Sequence, residues 1–73
     1  MFTVYLRETR SIGNPLWIFK TGEGRGMSKS PKLAYEEARL NLLNSLGDMD
    51  CAALIEQKVV IKRDQVVVKF QPW

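Results

Sequence analysis

The chain has 73 residues, 45% hydrophobic and 26% charged, with 11 basic against 8 acidic side chains and a net charge of +3. That mix fits one small globular domain burying about 60% of the surface its unfolded form exposes, and excludes disorder, a collagen-like repeat and a pure coiled coil. A single cysteine, Cys51, excludes an intrachain disulfide, and the lack of histidine removes His/Cys zinc sites, Ser/His and Cys/His nucleophilic mechanisms and histidine-based pH sensing.

The opening segment alternates, with Phe2, Val4 and Leu6 on one side and Thr3, Tyr5 and Arg7 on the other, as a half-buried strand does. Ser11, Gly13, Asn14 and Pro15 are turn formers and predict a reversal. Residues 16–20 form a second strand, with Leu16 and Ile18 on one face and Trp17 and Phe19 on the other. Residues 21–29, TGEGRGMSK, hold Gly22, Gly24 and Gly26 and predict a loop.

Ser30 and Pro31 suit the N-cap and first position of a helix. Ala34, Tyr35, Ala38, Leu42 and Leu46 then recur at helical spacing, and Gly47 stands where a C-terminal glycine is expected. Leu33 and Leu40 form a smaller apolar spot on the opposite side of that helix. Asp48 and Asp50 are placed to cap a short helical turn over residues 51–55, in which Cys51 reads as a small core hydrophobe. Residues 59–62 and 65–70 are β-branched runs joined tightly at Arg63 and Asp64, a second hairpin stopped by Pro72.

A hairpin alone is marginal in water, so both hairpins are expected to join in one sheet. The predicted fold is α+β and two-layered: a four-stranded antiparallel sheet covered on one face by one main helix, in the order ββα(α)ββ. Phe2, Val4, Leu6, Leu16, Ile18, Val66, Val68 and Phe70 are the expected inner face, and Tyr5, Trp17, Phe19 and Val67 the outer one. Trp73 either anchors a contact or folds back over the core.

Charge is segregated: residues 1–35 carry +4, residues 36–57 carry −4 and residues 58–73 carry +3. A basic first hairpin attracts phosphate while an acidic helix repels it, which confines binding to one side. The glycine segment running into a helix N-terminus combines backbone N–H groups, a helix dipole and the cations Arg25, Lys29 and Lys32, a setting for an anion. Neither a P-loop nor a dinucleotide fingerprint is present, because no Gly-Lys-Ser/Thr follows and no parallel crossover unit fits. The alternative for this segment is a plain connection between strand and helix.

The run FTVYLR, a second strand, and GEGRGMSK opening an Ala- and Leu-bearing helix resemble the C-terminal half of double-stranded-RNA-binding domains, over residues 2–43. That resemblance implies phosphate contacts from Lys29 and Lys32, with Gly26 and Ser28 shaping the turn. The family's second consecutive lysine is Ser30 here, and its N-terminal helix has no counterpart in these residues.

A second candidate site is the set Tyr5, Trp17 and Phe19 with Arg7 and Lys20, where rings stack on unpaired bases and cations meet the backbone, or where a partner protein docks. The leading expectation is therefore a small non-enzymatic nucleic-acid-binding module, for RNA or DNA, with Arg25, Gly26, Ser28, Lys29 and Lys32 at its site. The alternative is a phage-type or mobile-element protein that docks on a larger host protein, or a homodimer. No metal, cofactor or membrane partner is expected. No apolar run approaches the roughly 18 residues of a membrane span and the chain start lacks the pattern of a signal peptide, so the expected location is the cytoplasm.

Overall fold

A computed structural model describes residues 1–13, 18–49 and 51–71 of the chain. Its elements run β1 (Phe2–Ile12), β2 (Ile18–Ser28), α1 (Pro31–Leu46), a 3₁₀ turn (Gly47–Met49), β3 (Ala53–Arg63) and β4 (Val66–Gln71). The four strands form one antiparallel sheet in the order β2-β1-β3-β4. The predicted α+β architecture is therefore the one observed, with β1, β2 and β3 longer than expected. Among the described residues no helix is long and apolar enough to cross a membrane.

The largest departure lies in the glycine segment. Residues 21–28 continue β2 to Ser28, pairing with β1 from Ile12↔Ile18 through to Phe2↔Ser28. Gly22, Gly24 and Gly26 alternate with Glu23 and Arg25, so all three glycines face the same side, and that side carries α1. A Cβ on Gly24 would fall inside van der Waals contact of the Ala38 carbonyl and the Leu42 amide, and one on Gly26 inside contact of the Ala34 carbonyl. The glycines thus serve close approach: helix backbone lies directly on strand backbone, with Ala34 and Ala38 supplying the small side chains opposite.

The helix also closes the exposed edge of β2. Asn41 Nδ2 donates to the Arg25 carbonyl at 2.7 Å, and the Glu23 amide donates to Ser45 Oγ at 3.2 Å. Two side chains four apart on α1 therefore satisfy backbone groups two apart on an edge strand, which would otherwise invite pairing. In an antiparallel ladder the groups turned to the edge alternate with those turned inward, so the glycines' own amides are the ones paired with β1. The predicted amide cradle for an anion is replaced by a hydrogen-bonded strand.

The helix follows its predicted bounds. Ser30 has extended N-cap backbone angles, yet its hydroxyl makes no capping bond; Ser28 Oγ instead accepts from the Ser30 amide at 3.2 Å. At the other end Gly47 takes φ 62° and its amide donates to the Leu43 carbonyl. Lys20 approaches this terminus from β2, its ammonium 3.7 Å from where a Gly47 Cβ would stand, a favourable place for a cation.

Val4, Leu6, Ala34, Ala38, Leu42, Leu46, Met49 and Val59 form the core, with Phe2, Tyr35, Ala52 and Ile61 packed against it. Four members of the predicted helix stripe are buried, and Tyr35 is half-buried. The expected inner face needs correction at its ends: Ile18, Val66 and Val68 are exposed, Ile18 because β2 runs past the end of α1, which packs against Gly22, and Val66 and Val68 because α1 packs on β2 and β1 and does not reach β4. Phe70 registers opposite Val60, and its side chain lies outside the described residues.

The predicted helical turn over residues 51–55 is absent. Helix ends at the 3₁₀ turn, Cys51 is exposed rather than core, and β3 begins at Ala53 opposite Ser11. A five-residue helix fixes too few hydrogen bonds to compete with a long ladder. Ser11 likewise sits inside β1 and is buried, not in a turn. The β3–β4 hairpin turns at Asp64 and Gln65, with φ 50° and 73°, one position later than predicted. Two consecutive positive φ values define the tight turn whose twist matches a hairpin. Asn14, Pro15, Leu16, Trp17, Asp50, Pro72 and Trp73, to which the sequence reading assigned roles, lie outside the described residues.

β1 extends through a polar stretch because its charges are satisfied. Glu8 is 2% exposed on the helix side, where the apolar alternation of β1 predicts a hydrophobe. Its Oε1 accepts from Arg10 Nη2 at 2.8 Å and Nε at 3.0 Å, and its Oε2 accepts from Gln57 Nε2 at 2.8 Å. Arg10 Nη1 continues the network to the Ala52 carbonyl at 2.9 Å, tying β1 to the start of β3. A buried carboxylate with this many charge-assisted partners is tolerable only because all are present.

Candidate nucleic-acid interface

The sheet face opposite α1 is covered by no described element, and register arranges it in rows across β2, β1 and β3. Thr21, Thr9 and Glu56 form one row; Glu23, Arg7 and Lys58 the next; Arg25, Tyr5 and Val60 the third; Met27, Thr3 and Lys62 the fourth. Val67 of β4 registers beside Lys62. Four cations and two carboxylates thus share a face whose middle is aromatic and aliphatic. An open groove in this face is lined by Thr3, Tyr5, Glu23, Arg25, Met27 and Val60, with Lys62 and Gln65 at its end.

Local contacts hold the groups in place. The Arg25 guanidinium lies over the Tyr5 ring at 6.0 Å, near the limit of useful cation–π attraction. Thr9 and Thr21 hydroxyls hydrogen-bond across strands at 2.9 Å. Burial, followed by the hydrogen bond and negative charge of Glu23, raises the Tyr5 phenol above its ordinary 10.0, opposed by Arg7 and Arg25.

A folded-state phenol that keeps its proton longer than the unfolded one makes stability fall as pH rises above about 10, since the unfolded chain then binds fewer protons. Phenolate absorbance of the protein minus that of Tyr5→Phe is expected to titrate above 10.0, and Glu23→Gln to bring that titration down. A Tyr5 titration unmoved by Glu23→Gln contradicts this pairing.

The predicted phosphate-binding residues are distributed over both layers. Arg25 stands on the open face, and Gly26 faces the other way under α1. Ser28 ends β2 and bonds the Ser30 amide, while Lys29 in the connection and Lys32 in the first helical turn are exposed. Of the second predicted set, Tyr5, Arg7 and Phe19 share the open face, with Phe19 58% exposed. Lys20 does not: it pairs with Arg10 on the helix side. Sequence reasoning missed Lys58 and Lys62, which fall on one face of a strand because they are four residues apart, and their partnership with Tyr5 and Arg7 depends on β3 lying next to β1. No family model, curated protein or solved structure matches the chain.

Proposed function

We propose that the protein is a non-enzymatic nucleic-acid-binding module and that the open sheet face receives a single strand. One observation carries the reading: Arg25, Arg7, Lys58 and Lys62 surround Tyr5 across three adjacent strands, on the sheet face that no described element covers. Arg7 and Lys58 stand directly opposite each other on β1 and β3, which sets two cations side by side along the path of a strand backbone. Base rings find π-faces in Tyr5 and the exposed Phe19, while the cations follow the backbone. Lys29, just beyond the β2 end of the Lys62 row, extends the positive rim, and Lys32 follows it. The resemblance of residues 2–43 to double-stranded-RNA-binding domains supports phosphate contact at those two lysines.

Fluorescence anisotropy with labelled single-stranded and duplex RNA and DNA, at about 50 and 200 mM salt, tests the proposal. Arg25→Ala combined with Lys62→Ala is expected to weaken single-strand binding about tenfold or more and to reduce the salt slope by roughly 0.7 per lost phosphate contact. Tyr5→Ala removes a stacking contribution of about 1–3 kcal/mol per base. No binding at the lower salt, or equal binding by wild type and variants, overturns the assignment; duplex binding lost only in Lys29→Ala/Lys32→Ala moves the site to the helix start.

A further inference from the structure

Coverage of the sheet is incomplete on the helix side as well. Strands lie about 4.8 Å apart and a helix with its side chains is about 10 Å across, so one helix shields two strands of four. α1 shields β2 and β1. On the same side, beyond the partly buried Ile61, the sheet presents Val66, 63% exposed, with Arg63 beside Val66 and Lys69 beside Ile61 by register. A second helix has the width to cover the β3–β4 half.

The chain carries a matching surface on the back of α1. Leu33 and Leu40 are 55% and 64% exposed, two turns apart, and Glu36 and Glu37 lie between them. An apolar strip flanked by carboxylates thus complements an apolar half-sheet flanked by Arg63 and Lys69. The segregated charge of the sequence runs the same way, with −4 over residues 36–57 and +3 over residues 58–73.

We propose that two copies of the chain assemble helix side to helix side, the back of each α1 covering the β3–β4 half of the other. A two-fold axis makes both contacts at once, so the interface closes on itself. The result is a sheet, a layer of two helices and a second sheet, in which every strand is covered on its inner side. Exposed leucines and valines become interface core, and opposite charges meet at its rim. Both Tyr5 faces remain turned outward, so the assembly is independent of the nucleic-acid reading.

Sedimentation of the full chain over about 1–100 µM, a span covering ordinary dimer affinities, is expected to give twice the 8.4 kDa chain mass at the upper end. Leu40→Glu is expected to leave a monomer with unchanged circular dichroism. Glu36→Lys/Glu37→Lys is likewise expected to be monomeric, and adding Arg63→Glu/Lys69→Glu is expected to restore the dimer. As a check independent of variant folding, Leu40→Cys and Val66→Cys in one Cys51→Ser chain are expected to give a disulfide-linked dimer on oxidation. A monomeric wild type, or a dimer indifferent to Leu40→Glu and to both charge exchanges, overturns the proposal.

Discussion

Gly24→Ala is expected to lower the stability of the protein by about 3 kcal/mol or more, enough to leave much of so small a domain unfolded at room temperature. The new methyl group would meet the Ala38 carbonyl and the Leu42 amide, both backbone atoms of α1, and no rotamer change can remove that clash. Only moving the helix off the sheet makes room, at the expense of Leu42, Leu46 and the two bonds from Asn41 and Ser45 to β2. Gly22→Ala provides the internal comparison. Its Cβ would meet the Leu46 side chain at 2.6 Å, which can rotate, although the Leu46 amide at 3.3 Å limits the relief.

The sign of the effect is diagnostic. In an unconstrained loop, exchange of glycine for alanine is neutral or stabilises by about 0.4–1 kcal/mol through the unfolded chain. Urea unfolding of the two variants separates these cases, and a Gly24→Ala midpoint equal to or above wild type contradicts the close helix–strand contact.

The second large effect is expected at the buried charge. Arg10→Met leaves Glu8, 2% exposed, with Gln57 as its remaining partner in the network described, and removes the bond to the Ala52 carbonyl. Losing one member of such a pair costs about 3–5 kcal/mol, because the other charge stays buried without compensation. Replacing both members, as Glu8→Leu/Arg10→Met, is expected to recover most of that loss, since an apolar pair of similar volume needs no desolvation repaid. Chemical denaturation of the two single variants and the double variant gives the coupling directly. A loss below about 1 kcal/mol in Arg10→Met shows that the ion pair contributes no more than an exposed one.

Much of the architecture was legible because it rests on local signals. Period-two alternation marks Phe2 to Arg7, helical spacing marks Ala34 to Leu46, and Gly47 takes the positive φ that its position at the helix end suggests. The tight second hairpin was legible from two β-branched runs and a short polar join, with its turn displaced by one residue. The open face was legible in part: Tyr5, Arg7 and Phe19 fall on it through their own alternation, while the glycines around Arg25 carry the local signal of a loop.

By itself, the amino-acid order determined the sequence of hairpin, main helix and hairpin and the division of charge between helix and flanking segments, but not that residues 21–28 and 53–55 are strand. Only tertiary structure decided what the three glycines are for, because a residue without a side chain carries the same local signal in a flexible bend and beneath a tightly packed helix. Tertiary structure also decided that Glu8 could be buried, since its partner Gln57 is 49 residues away in the chain. The same holds for the gathering of Lys58 and Lys62 beside Tyr5: strand order is a property of the assembled sheet, and no local propensity encodes which strand becomes a neighbour.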